Sequence, residues 1–196
     1  MLNIVLFGPP GSGKGTQAKF LEQKYQTPQI STGDLFRYNL KNETDLGKKV
    51  RAYMDKGSLV PDEITTQMLS DELDKGKSPN GYIFDGYPRT TSQAVALDKI
   101  LAEKFNEEVT VTVALVVDDE VLVQRLLERG KTSGRSDDVN EEVIRHRITE
   151  YYTKTAKVAK HYKAQGKWVE INGVGDIDEI TEKLIAVINE AMIKED

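Results

Sequence analysis

Apolar residues recur along this chain with two different periods. Short runs rich in β-branched and aromatic residues predict strands at Asn3 to Phe7, Gln29 to Ser31, Tyr82 to Asp85, Val109 to Val117 and Trp168 to Asn172. The first and fourth are apolar on both faces, as in a parallel sheet covered from both sides. Between these runs the spacing becomes helical. Gln17 to Tyr25 follows the first strand, and PDEITTQMLSDEL sets Ile64, Met68, Leu69 and Leu73 on one face behind Pro61. Ala94 to Leu101, Val121 to Leu127, Glu141 to Ala164 and Ile177 to Met192 complete the helical set. Strands alternating with helices predict an α/β fold, a doubly wound parallel sheet of about five strands. Two stretches break the alternation, Thr32 to Pro61 and GKTSGRSDD from Gly130 to Asp138. Both read as insertions at the carboxyl ends of strands, where such sheets bind ligands.

No internal repeat, low-complexity tract or Pro/Ser-rich linker divides the sequence, so one domain spanning 1–196 is expected. No apolar run approaches the roughly 20 residues needed to cross a bilayer. The N-terminus has neither a basic segment nor a cleavable apolar stretch, which makes a cytoplasmic setting the expectation. With no cysteine, disulfides, thiolate zinc sites and cysteine nucleophiles are excluded. A net charge of −5 argues against a general nucleic-acid or membrane-surface binder, because phosphate polymers select basic faces. Phosphate chemistry here must rely on locally concentrated positive charge.

GPPGSGKGTQ, directly after the strand NIVLF, supplies such a place. Gly8, Gly13 and Lys14 satisfy the phosphate-loop pattern G-x-x-x-x-G-K between a strand and a helix. Glycines let successive backbone N–H groups converge on phosphate oxygens, the helix adds its positive end, and Lys14 adds a mobile cation. The residue after the lysine, usually a magnesium-ligating Ser or Thr, is Gly15, with Thr16 one place later. Asp85 ends the strand YIFD in the position of a Walker B carboxylate, suited to holding Mg2+ through its water shell; the alternative is a cap for the following turn. Of eight arginines, five (Arg37, Arg89, Arg129, Arg135 and Arg147) fall in or beside the short motifs STGDLFR, FDGYPRT, LLERGKTSGRSDD and RHRITEYY, although lysine is more than twice as abundant as arginine. Forked guanidinium groups suit the charge that phosphoryl transfer spreads over equatorial oxygens.

GPPGSGKGTQ, STGDLFR, FDGYPRT, LLERGKTSGRSDD and RHRITEYY together resemble, in order and spacing, the adenylate kinases of the nucleoside monophosphate kinase family, over essentially the whole chain. The G-K-G-T variant belongs to that family's pattern. The resemblance implies a P-loop NTPase-type core with a helical monophosphate-binding insertion at 31–60 and a short lid at 128–138. It implies the reaction ATP + AMP ⇌ 2 ADP with Mg2+, in a monomer whose partners are those nucleotides. ATP would lie on Gly11, Ser12, Gly13, Lys14, Gly15, Thr16, Arg129 and Gly175, with Arg125 against its adenine or simply exposed. Arg37 and Arg89 would clamp the AMP phosphate, and Arg135 and Arg147 would lie between the two phosphate groups. Thr32, Gln93, Gly86, Tyr87, Pro88 and the backbone of Ser58, Leu59 and Val60 would hold the rest of AMP. Thr32 could also cap a helix near Asp34. Lys14, Arg89, Arg129, Arg135 and Arg147 would carry catalysis, with no dedicated general base. Asp137 and Asp138 would pair with Arg135 and its neighbours in the lid, where Gly130 and Gly134 supply flexibility. The lid segment is too short for the small zinc-binding sheet of some relatives.

His146, His161 and the lysines Lys154, Lys157, Lys160 and Lys163 read as a packed or solvated helix face. A uridylate/cytidylate kinase is the alternative enzyme, and it would differ around Thr32 and Gln93. A small-metabolite kinase would not need STGDLFR together with DGYPRT. A nucleotide-binding regulatory module without turnover would lack Lys14 or the arginines.

Overall fold

The structure, a computed structural model, describes residues 1–76 and 78–195. Five parallel strands form one sheet: β1 (Leu2–Phe7), β2 (Gln29–Ser31), β3 (Gly81–Asp85), β4 (Val111–Val116) and β5 (Trp168–Asn172), in the spatial order β2-β3-β1-β4-β5. The expected strand at Val109 to Val117 is thus shorter by two residues at its start and one at its end. The register sets Leu6 beside Asp85, Ser31 beside Asp85 and Phe7 beside Ala114. The carboxyl ends of β1, β2, β3 and β4 are therefore level, and the loops that follow them leave from one edge of the sheet.

Alternation along β1 explains the two-sided core. Val5 and Phe7 join Tyr82, Phe84, Ala94, Leu97, Leu101, Val158 and Tyr162 on one face. Ile4 and Leu6 join Ala18, Leu21, Val113, Ile171, Leu184 and Ile188 on the other. The first face is covered by α4 (Asp62–Lys75), α5 (Thr91–Phe105) and α8 (Val158–Ala164), and the second by α1 (Lys14–Tyr25) and α9 (Ile177–Glu195). Among the described residues no helix is long and apolar enough to cross a membrane.

The two stretches that break the alternation add structure at the carboxyl edge. Thr32 to Pro61 holds α2 (Thr32–Lys41) and α3 (Asp45–Asp55), which pack on α4 around Phe36, Val50, Val60 and Met68. α2 is capped by Ser31, whose hydroxyl accepts from Asp34 N at 3.3 Å, so the capping role considered for Thr32 belongs to its neighbour. In the second stretch α6 (Asp119–Ser133) runs past the expected end, and a single 3-10 turn follows at Ser136–Asp138. Gly130 is consequently a helical residue and not a hinge. A Cβ there would lie 2.4 Å from the Asp138 carbonyl oxygen, so this glycine lets the turn dock on the helix.

Glu141 to Ala164 is not one uniform helix. α7 (Glu141–Glu150) widens into a π turn at Tyr151–Thr155 before α8 begins. Wide turns of this kind are frequent at functional sites. Here the turn brings the Tyr151 ring 5.9 Å from that of Phe7, the last residue before the glycine-rich loop.

Candidate active site

Between β1 and α1 the backbone makes a turn that few residues could follow. Gly8, Gly11 and Gly13 have φ of 140°, 83° and 101°. At Gly8 a Cβ would lie 2.7 Å from Ser12 Oγ and 2.8 Å from the Leu115 carbonyl oxygen, so a side chain is excluded sterically as well as conformationally. Gly13 is the N-cap of α1, and the open N-terminus of that helix faces the loop. Lys14 curls back over it, with Nζ donating to the carbonyls of Gly8 (2.8 Å) and Pro9 (3.0 Å).

The loop floors a cleft of about 810 Å³ whose walls carry Lys14, Arg37, Arg89, Arg125, Arg129, Arg135 and Arg147. These cations differ in how they are compensated. Asp138, fully buried, accepts from Arg129 Nε (2.6 Å) and Arg147 Nη1 (2.6 Å), and Asp137 lies 3.1 Å from Arg147. Burial would raise the Asp138 carboxyl, but the hydrogen bond and charge of Arg129, with Arg147, hold it below the usual carboxylate range. Asp34 is shared between Arg37 at 2.6 Å and Arg135 at 3.6 Å. Asp137 and Asp138 thus pair with Arg129 and Arg147, while Arg135 turns to Asp34.

Lys14 and Arg89 are treated differently. Among the described residues neither forms an ion pair with a carboxylate, and Arg89 Nε donates to the Gly86 carbonyl at 2.8 Å. Burial lowers the Lys14 ammonium to about 8; Asp85 opposes the shift, and Arg89, Arg147 and Arg129 add to it. Burial and Arg147 similarly push Arg89 down to about 10. Two undercompensated cations at the base of a cleft, with an open helix N-terminus beside them, constitute an anion site.

A second, smaller cavity of about 60 Å³ adjoins the cleft and shares Arg37, Leu59, Gly86, Arg89 and Arg147 with it. Thr32, Ser58, Val60 and Gln93 also line it. Thr32 Oγ1 donates to the Gly86 carbonyl at 2.9 Å, and the Gln93 amide is hydrogen-bonded at both ends, to Arg89 N and to Asp62.

Comparison with known proteins agrees with this geometry. A family model described as adenylate kinase matches residues 6–167. Adenylate kinases from Flavobacterium psychrophilum and Flavobacterium johnsoniae are 59% and 58% identical over 189 residues, covering 96% of this chain and 99% of each relative. One from Parabacteroides distasonis is 50% identical over 96% of this chain and 98% of its own length. The chain belongs to the adenylate kinase family. It is a nucleoside monophosphate kinase, and so a phosphotransferase; the uridylate/cytidylate alternative is not favoured.

Within this adenylate kinase fold the residues expected for ATP, from Gly11 to Thr16 together with Arg129 and Gly175, all line the larger cleft. Those expected for AMP line one cavity or the other with a single exception. Tyr87 is 1% exposed, its hydroxyl shares a hydrogen bond of 2.9 Å with Thr66, and it lines neither. Arg125 donates to the Gly173 carbonyl at 3.2 Å, which holds it at the mouth of the loop. His146 does more than face solvent: its Nε2 and Ser58 Oγ share a hydrogen bond of 3.2 Å that ties α7 to the rim of the smaller cavity. His161 is anchored on Asp98 at 2.6 Å, away from both cavities.

Sequence reasoning missed three groups. Gln29, the first residue of β2, donates from Nε2 to Asp85 Oδ2 at 3.0 Å and orients that carboxylate. Asp62 holds Gln93, and Asp34 links the arginines of the two insertions. Only Asp34 lay within a recognisable motif. The others are brought in by partners 56 and 31 residues away, which no local pattern reveals.

Proposed function

We propose that the larger cleft holds ATP on the loop from Gly8 to Thr16 and that the smaller cavity holds the base of AMP, so that the reaction is ATP + AMP ⇌ 2 ADP. The observation that carries this reading is the convergence of Lys14, Arg37, Arg89, Arg129, Arg135 and Arg147 on the larger cleft, with Arg37, Arg89 and Arg147 on the wall it shares with the smaller cavity and with Lys14 and Arg89 left, among the described residues, without carboxylate partners. Phosphoryl transfer asks mainly for positioning and for stabilisation of charge on equatorial oxygens. The acceptor is already an anionic phosphate oxygen, so no general base is required. Arg37 and Arg89 clamp the acceptor phosphate, and Lys14 follows the transferred group. Arg129, Arg135 and Arg147 complete the charge around it.

Asp138 has a definite part in this arrangement. By holding Arg129 and Arg147 together it keeps two guanidinium groups close in spite of their repulsion. An arriving phosphate takes over part of that compensation. Asp34 does the same, more loosely, for Arg37 and Arg135. The segment 128–138 serves as the lid and 31–60 as the monophosphate-binding insertion of one kinase domain. Closure of the lid over the phosphates keeps water from acting as acceptor.

The residues present fit Mg2+ in the manner expected. Asp85 is a single carboxylate at the carboxyl end of β3, and a Cβ on Gly15 would lie 3.6 Å from its Oδ2, so the glycine leaves room beside it. One carboxylate suits a cation that keeps most of its water shell. Asp85, steadied by Gln29, would hold the ion, which supplies neutralising charge to the phosphate oxygens. Among the described residues no group of three or more His, Cys, Asp or Glu could hold a metal. We place the enzyme in the cytoplasm, where its substrates are free nucleotides, and take it as a monomer, as its resemblance to the family implies.

A coupled assay of ADP formation with AMP, CMP, UMP and GMP tests the reading. AMP should be preferred by at least roughly tenfold over each of the others. Equal kcat/KM for CMP or UMP would remove the smaller cavity as the adenine site.

A further inference from the structure

Gln93 is 2% exposed and its amide is bonded at both ends inside the protein. Oε1 accepts from the backbone N–H of Arg89 at 2.7 Å, and Nε2 donates to Asp62 Oδ1 at 2.9 Å. Asp62 is itself held, since its Oδ2 accepts from Thr90 Oγ1 at 2.8 Å. Thr90 Oγ1 in turn accepts from the backbone N–H of Gln93 at 3.2 Å, which closes the network. The two ends of a glutamine amide have nearly the same shape, so an unrestrained one can turn over to suit its ligand. This one cannot. A backbone N–H only donates and an ionised carboxylate only accepts, so reversal would set donor against donor and acceptor against acceptor at once.

After those two bonds the amide retains one N–H and one lone pair, and Gln93 lines the smaller cavity beside Thr32 and Val60. Adenine offers a complementary edge, the acceptor N1 next to the donor N6. A 6-oxo purine offers the reverse order, with N1–H as donor and O6 as acceptor. With its phosphate clamped by Arg37 and Arg89, the base has little freedom to present the order differently.

We propose that Asp62 is a positioning residue for base specificity: by locking the Gln93 amide against reversal it makes the pocket accept a 6-amino purine and refuse a 6-oxo one. This rests on the reading that the smaller cavity holds the base of AMP. Asp62 touches no substrate and acts only through the amide it orients. Loss of Asp62 leaves Arg89 N–H as the sole restraint and lets the amide turn over for a 6-oxo base.

The test is kcat/KM for AMP and for inosine monophosphate in Asp62→Leu, Asp62→Asn, Gln93→Leu and the Asp62→Leu/Gln93→Leu pair. The AMP:IMP ratio should fall by about tenfold in Asp62→Leu, because a locked wrong-way amide is what penalises IMP. Asp62→Asn, whose carbonyl still accepts from Gln93, should stay within about threefold of wild type. On the Gln93→Leu background Asp62→Leu should change the ratio no further. Asp62→Ser, too short to reach the amide but suited to a helix start, replaces Asp62→Leu if the latter does not fold. A ratio unchanged in Asp62→Leu, or equal losses for both nucleotides, overturns the lock while a changed ratio in Gln93→Leu leaves the base reading standing. A ratio unchanged in Gln93→Leu overturns both.

Discussion

The two cavities share a wall, yet their polar groups are satisfied in opposite ways. In the phosphate cleft Lys14 and Arg89 have carbonyls for partners and, among the described residues, no carboxylate, and burial lowers the pKa of both. In the base pocket Thr32 and Gln93 are held by Gly86, Arg89 and Asp62 before any nucleotide arrives, which leaves the Gln93 amide one N–H and one lone pair in a fixed order. The difference follows from what each must recognise. A phosphate is a diffuse charge that several mobile cations can meet from different sides, so compensation is left to the ligand. A base is a fixed pattern of donors and acceptors, and a pocket that could rearrange would accept more than one pattern. Undercompensated charge gives affinity and rate; locked polarity gives choice.

Breaking the phosphate side should produce the largest effects. Lys14→Ala should lower kcat by roughly a thousandfold, because the ammonium tracks charge that develops only in the transition state. Its melting temperature should barely move, since the ammonium of this first residue of α1 contacts the carbonyls of Gly8 and Pro9 and not the hydrophobic core. Steady-state kinetics with a thermal melt check this, and retention of more than about a tenth of wild-type kcat would contradict it. Arg135→Lys keeps the charge but loses the planar fork, so kcat should fall by roughly ten- to a hundredfold with a smaller change in KM. An unchanged kcat with weaker ATP binding would make Arg135 a uniform binding group.

The base side should respond in discrimination only. Thr32→Ala with Gln93→Asn removes one polar contact and shortens the amide out of its lock. The preference for AMP over CMP or UMP should fall by roughly ten- to a hundredfold, at about 1–3 kcal/mol per unpaired group. The chemical step should be spared, because Arg37 and Arg89 are indifferent to the base. If kcat collapsed along with the preference, the separation of the two regions would be lost.

The same division shows in what the sequence revealed. The phosphate loop is a local object: strand, glycines and Lys14 are contiguous, and their spacing alone predicts the backbone that Gly8 and Gly13 adopt. The arginines were found because each sits in a short motif. Their partners were found in part: Asp137 and Asp138 were expected to pair with Arg135 and its neighbours, and Asp138 does reach Arg129, but it bonds Arg147 as well, while Arg135 turns to Asp34, because α6 continues to Ser133 and Gly130 docks the following turn. Ser31 rather than Thr32 caps α2, a difference of one residue that frees Thr32 for Gly86. The π turn at Tyr151 is invisible to a periodicity argument, because inserting a wide turn leaves the surrounding apolar spacing almost intact. Tyr87 lies inside a motif and yet is core. Asp62 and Gln29 carry no motif, and only folding brings them to the amide and carboxylate they orient.

The account rests on Lys14 being a cation that waits for an anion, and its titration is the most direct measure of that. Side-chain NMR of Lys14 across pH should show, in the free enzyme, a midpoint near the value of about 8 that burial imposes. Bound ATP supplies the missing negative charge and should raise that midpoint; ATP affinity is then greatest below pH 8 and declines as pH climbs through the free and bound midpoints. A free-enzyme midpoint at the ordinary lysine value of 10.5, unmoved by ATP, would show that the ammonium was never undercompensated and would contradict the account.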